Sequence, residues 1–200
     1  MCIGGLEVRI GTLIATLLIP SLFGSVADDL DSAKPYDLDE AYQIYSLLLP
    51  REESYGFGKG TLVIQEDTVP HALESACFDV KSASRFKDAL ADYGSAQKRT
   101  WRLQRRFQIE KPYELVSSDA INLPFKEKGM DGWQSFYKRH PDSGGFIILS
   151  AVGFNKTKTL GVVYTGSSCG GLCGLWRFHL LEKINGEWKE VPGVTCEMVS

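Results

Sequence analysis

The stretch "GSSCGGLCGLW", Gly166 to Trp176, holds the residues best suited to chemistry: Cys169 and Cys173, spaced C-x-x-x-C among four glycines. A redox pair uses C-x-x-C at a helix start, where the helix dipole lowers the thiol pKa. The extra residue and the glycines on either side argue against that use. A structural zinc needs four ligands. Cys169, Cys173, His179 and Cys196 make such a set only on paper, because His179 lies in the apolar run "WRFHLL", where a hydrogen-bonded core histidine is the commoner case. Gly166, Ser168 and Gly170 match G-x-S-x-G. A nucleophile elbow, however, needs an acid and then a histidine downstream, and no Asp or Glu stands between Ser168 and His179. "GFGKGT" at Gly56–Thr61 lacks the order of a phosphate-binding loop.

A staple fits the same residues. A disulfide needs Cα atoms roughly 4.4–6.8 Å apart, which a tight turn between Cys169 and Cys173 can supply. It would leave Cys77 to pair with Cys196 and tie the first half of the chain to its end. That long loop would be the larger stabiliser, worth about 4–5 kcal/mol at best. Four cysteines allow three pairings, and sequence does not choose among them.

The count of four depends on the N-terminus. Arg9, an apolar run from Ile10 to about Gly24 and the small residues Ser25-Val26-Ala27 read as a signal peptide over residues 1–27, cut before Asp28. The run is too short for a membrane span and contains Pro20. Cleavage removes Cys2, and an even cysteine count in an exported chain suits an oxidising compartment. It removes Glu7 together with Arg9, so the net charge of −3 is unchanged.

The elements that must position these residues follow from periodicity. "LDEAYQIYSLLLP" reads as a helix ended by Pro50, with Asp37 or Asp39 as its cap. Thr61–Glu66 reads as a strand, and "SASRFKDALADYG" as a helix stopped by Gly94. A short helix fits Gly132–Arg139, with Trp133, Phe136 and Tyr137 on one face; aromatics so placed are more often core than groove. The segment 98–118 resists assignment. "GFIILSAVGF", "KTLGVVYTG", "LWRFHLLEKI" and "EWKEVPGV" read as strands joined by turns, with Asn185-Gly186 the strongest hairpin signal. The fold class is therefore α+β, a single domain over 28–200 with N-terminal helices packed on a C-terminal antiparallel β-meander.

Charge is uneven. Asp28, Asp29, Asp31, Asp37, Asp39 and Glu40 face only Lys34, a local charge of −5. Lys98, Arg99, Arg102, Arg105, Arg106 and Lys111 face only Glu110, a local charge of +5 with Trp101 and Phe107 interleaved. Lys98, Arg99, Arg102, Arg105 and Arg106 are a candidate anion-binding strip, against the simpler reading of a solvated face. The acidic balance of the whole chain speaks against nucleic acid. The two segments nearly cancel, which suggests that the acidic arm lies on the basic strip. No metal site and no cofactor motif is expected.

The run from His140 to Val191 resembles a pattern shared by uncharacterised exported bacterial proteins: "GFN", "CGGLCG", "LLEK" and "NG-W" in that order. The resemblance covers the last third to half of the chain. It implies a bacterial, secreted or periplasmic setting, where the glycosylation sequon at Asn155–Thr157 would be silent. It carries no activity and no catalytic residues, and tyrosine is usual where this chain has His140.

The sequence thus favours an exported, disulfide-stabilised, non-enzymatic binding or interaction domain with an anionic surface or ligand as a candidate partner. The alternative is an extracytoplasmic hydrolase or thiol-dependent enzyme with its site near the CGGLCG loop. Intact mass of the protein isolated from its native host tests the first step. A species beginning at Asp28 is expected, and retention of residues 1–27 would contradict export by cleavage.

Overall fold

The computed structural model describes residues 33–50, 60–73, 77–126 and 131–200. The expected signal peptide, Asp28, Asp29 and Asp31 of the acidic arm, and Gly56–Lys59 of the glycine-rich turn lie outside them. Described elements run β1 (Lys34–Pro35), α1 (Asp39–Leu48), β2 (Leu62–Gln65), α2 (Val80–Arg85), α3 (Lys87–Ala96), β3 (Trp101–Arg102), β4 (Tyr113–Val116), α4 (Ser118–Lys126), α5 (Gly132–Arg139), β5 (Phe146–Leu149), β6 (Gly153–Phe154), β7 (Leu160–Gly170), β8 (Cys173–Ile184) and β9 (Glu187–Val199).

The class is α+β, but the sheet is mixed rather than a simple antiparallel meander. Its order is β4-β2-β5-β7-β8-β9, with β6 paired to β7. The last strands are antiparallel, β7 to β8 and β8 to β9. β2 is parallel to both β4 and β5. The antiparallel reading missed this because parallel partners are far apart in sequence and leave no hairpin turn to read. Asn185 (φ 53°) and Gly186 (φ 86°) turn β8 into β9 with two positive φ values, the backbone that a two-residue hairpin needs.

Helices cover both faces. Ile44, Tyr45 and Leu48 of α1 and the following Leu49 pack with Ile64, Ile147, Leu149, Val163 and Leu181. Phe86, Ala89 and Tyr93 pack against the opposite face with Val162, Tyr164, Phe178 and Leu180. The alternation along β7, Val162 and Tyr164 one way and Val163 the other, is the period of two that divides the faces. On the second face α5 also stacks its rings on the sheet, with Trp133 5.8 Å and Phe136 5.7 Å from Phe146 between centroids. α3 comes so close to β6 that a Cβ on Gly153 would collide with the backbone of Tyr93. That is the physical content of the "G" in "GFN". The Asn155 carboxamide oxygen accepts from Thr159 N (2.8 Å) and Leu160 N (3.0 Å), closing the following turn.

Tyrosines lace the layers. The Tyr45 hydroxyl donates to Ser150 O (2.7 Å), Tyr42 to Tyr36 O (2.9 Å), and Val152 N donates to the Tyr36 hydroxyl (2.8 Å). Burial raises the Tyr45 phenol well above its ordinary pKa, so it stays a neutral donor.

Two local expectations are corrected. α1 is not capped by Asp37 or Asp39: Leu38 is the N-cap residue and makes no side-chain cap bond, and both carboxylates turn to Arg106 instead. Gly94 does not stop α3, which runs to Ala96. A glycine inside a helix costs only about 1 kcal/mol against alanine, too little to break a helix anchored by buried Ala89 and Tyr93.

Disulfides join Cys77 to Cys196 (Cα–Cα 4.9 Å, separation 119 residues) and Cys169 to Cys173 (Cα–Cα 5.1 Å, separation 4 residues). The first fastens the segment before α2 to the edge strand β9. By loop entropy, the Cys77→Ser/Cys196→Ser double variant should lose up to about 4–5 kcal/mol, and Cys169→Ser/Cys173→Ser less than half of that. Urea unfolding measures both, and the reverse order would contradict this division of roles.

Candidate functional site

The glycine-rich stretch is not a loop. β7 continues to Gly170 and β8 resumes at Cys173, leaving Gly171 and Leu172 alone at the turn. Ser168 pairs with Gly174 and Gly170 with Cys173, so Cys169 is the extra residue of a β-bulge. The bulge and the disulfide to Cys173 lock the tip. The Tyr137 hydroxyl of α5 donates to Cys169 O (2.8 Å) and buttresses it from the side.

The glycines have a packing reason. The Trp176 ring lies against the Gly166 and Gly174 backbones, and a Cβ on either would collide with it. Gly166 and Gly174 thus use the close approach that glycine permits, and together they seat an indole in the ladder beside the bulge.

The tip is apolar at its apex. Leu172 is 91% exposed there. Beneath it an open cavity of about 180 Å³ is lined by Cys169, Leu172, Cys173, Leu175 and Val199, among others. The end of β9 closes one wall through reciprocal backbone bonds between Gly174 and Ser200 (3.2 and 3.1 Å). Met198 and Val199 are exposed beside it.

A second constellation was invisible in the sequence. His179 Nδ1 lies 2.7 Å from Glu190 Oε1 and its Nε2 lies 2.9 Å from Thr165 Oγ1. A carboxylate can only accept, so Nδ1–H donates to Glu190, and Nε2 shares a hydrogen bond with the Thr165 hydroxyl. The order hydroxyl–imidazole–carboxylate is that of a nucleophile, base and orienting acid. Thr165 and His179, however, are each only 1% exposed. The register hid this group: the Thr165, His179 and Glu190 side chains meet across three strands, with a pairing shift between His179 and Leu181.

A third polar group lies at the start of the parallel strands. His140 Nδ1 is 2.6 Å from Glu114 Oε1 beside a cavity of about 180 Å³ that Thr61, Arg139 and Ser143 also line.

The zinc set drawn from sequence is not brought together. All its sulfurs are in disulfides, and Cys196, opposite Phe178, points to the other face of the sheet from His179. Ser168 of the G-x-S-x-G match lies within β7 rather than at a strand-to-helix elbow. Among the described residues no helix is long and apolar enough to cross a membrane.

The basic strip is spread over several elements. Lys98 and Arg99 follow α3, Arg102 is on β3, and Arg105 and Arg106 lie between β3 and β4. Arg102 meets Asp67 (3.2 Å) and Glu66 (4.0 Å), and Asp67 raises its pKa. Arg106 meets Asp37 (2.6 Å) and Asp39. Arg99 stacks over Trp101 (4.9 Å) and Arg105 over Tyr113 (5.8 Å). The described part of the acidic arm runs along this segment: β1 pairs with β3, and Tyr36 N donates to Arg102 O (2.7 Å).

Comparison with known proteins finds no matching family model, no matching curated protein and no matching solved structure.

Replacing Thr165 by valine keeps the shape and removes the hydroxyl from a buried imidazole nitrogen. A loss of about 1–3 kcal/mol in unfolding free energy is expected. A neutral outcome in urea unfolding would show that the Thr165–His179 contact does not hold the sheet.

Proposed function

We propose that this chain is an exported, non-enzymatic binding domain whose contact element is the disulfide-locked tip of the β7–β8 hairpin. One observation carries the reading: Leu172 stands 91% exposed at the apex of a tip fixed by a disulfide 5.1 Å across its Cα atoms. A large apolar side chain standing in water gains by burial in a partner, and a staple on the backbone of its turn lowers the ordering cost that a flexible loop would bear on binding. The fitting partner is a protein with an apolar pocket. The leader-like sequence of residues 1–27 and cysteines used as paired staples, which suit an oxidising compartment, support export.

The rival reading is an extracytoplasmic enzyme, and its support is the Thr165–His179–Glu190 chain across β7, β8 and β9. Burial of Thr165 and His179 to 1% exposure weighs against it, since a nucleophile must reach its substrate.

A photocrosslinking residue at position 172, compared in the native host with the same residue at Val80 (88% exposed), tests the binding reading. A discrete adduct from position 172 that position 80 does not give is expected. The same adducts from both positions, or none from 172, would contradict it.

A further inference from the structure

We infer that Arg106 is the centre of an oxyanion site that the chain's own Asp37 and Asp39 occupy as internal competitors. The Arg106 guanidinium lies 4.7 Å above the Tyr42 ring and borders a cavity of about 340 Å³, lined also by Asp39, Gln43 and Gln108. The walls are fixed. The Tyr42 hydroxyl accepts from Gln104 N (2.8 Å), the Ser46 hydroxyl accepts from Gln108 N (2.8 Å), and Arg106 N donates to Gln104 O (2.8 Å). The backbone on either side of Arg106 is thereby tied to α1, and the guanidinium rests on the Tyr42 ring of that helix.

The occupants are held loosely by comparison. Asp37 and Asp39 are 82% and 75% exposed while Arg106 is 30% exposed. Exposed ion pairs contribute little to stability, and two like charges converging on one cation repel each other. Glu40 takes no part, since it pairs with Lys158 (3.2 Å). A guanidinium on an aromatic face with both terminal nitrogens engaged by carboxylate oxygens is arranged for an acceptor that presents two oxygens. The amides of Gln43 and Gln108 can donate to further oxygens in the cavity. The ligand class is a small soluble oxyanion, a phosphate or carboxylate group, that displaces the two aspartates.

The test uses the disulfide-bonded protein and two probes, inorganic phosphate and citrate, at constant ionic strength, followed by the amide shifts of Tyr42 and Gln108. Asp37→Asn/Asp39→Asn should bind at least one probe at least tenfold more tightly than the unaltered chain. Which probe binds separates phosphate from carboxylate recognition. Adding Arg106→Gln should abolish the binding, and Arg106→Lys, which keeps the charge without the fork, should weaken it several-fold in a chain whose near-UV spectrum shows it folded. Absence of saturable binding by the double variant, equal affinity with and without the aspartates, or binding that survives both Arg106 changes would each overturn the assignment.

Discussion

Strand β7 is hydrogen-bonded along both edges, to β5 on one side and β8 on the other, and it is buried on both faces along most of its length. Val163 points into the layer filled by α1, and Val162 and Tyr164 into the layer filled by α3. A strand in that position cannot shift its register by one residue without exchanging the two sets of side chains. Its far end therefore emerges at a fixed place and angle. The Cys169 bulge and Gly166 of the Trp176 seat are part of this strand, and the hairpin tip continues it into β8.

The two disulfides act on this frame differently. Cys77–Cys196 closes a long loop, acts mainly on the unfolded chain and holds β9 beside the layer that contains Phe78 and Phe178. Cys169–Cys173 closes a loop too short for much entropic effect, and its consequence is local. It keeps the backbone of the bulge and turn in one conformation. Reduction of the tip would accordingly leave the core intact while loosening the apex, whereas reduction of the long-range bridge would lower the stability of the whole.

Legibility in the sequence followed the range of the forces. The helix over Gly132–Arg139, the strand inside Thr61–Glu66 and the Asn185-Gly186 turn were readable because apolar period and turn chemistry are local. α4 was missed; Pro124 lies inside it and obscures the pattern. The parallel pairing of β2 with β4 and β5 was not readable, because nothing local marks a partner dozens of residues away. Of the candidate chemistry, Cys169 and Cys173 stood out by spacing, while nothing local told that the glycines at 166 and 174 make room for the Trp176 ring. Thr165, Glu190 and Glu114 gave no signal at all, since each becomes notable only once a neighbouring strand or helix brings a histidine to it.

The tip's order as part of the sheet is the property on which the binding reading rests, and amide hydrogen exchange across residues 166–176 measures it directly. In the oxidised protein these amides should exchange slowly, with protection comparable to the middle of β7 and β8, and selective reduction of Cys169–Cys173 should speed exchange at the apex first. Exchange of the whole segment at the rate of an unstructured peptide, with the disulfide intact, would contradict a rigid hairpin and remove the basis for a preorganised contact at Leu172.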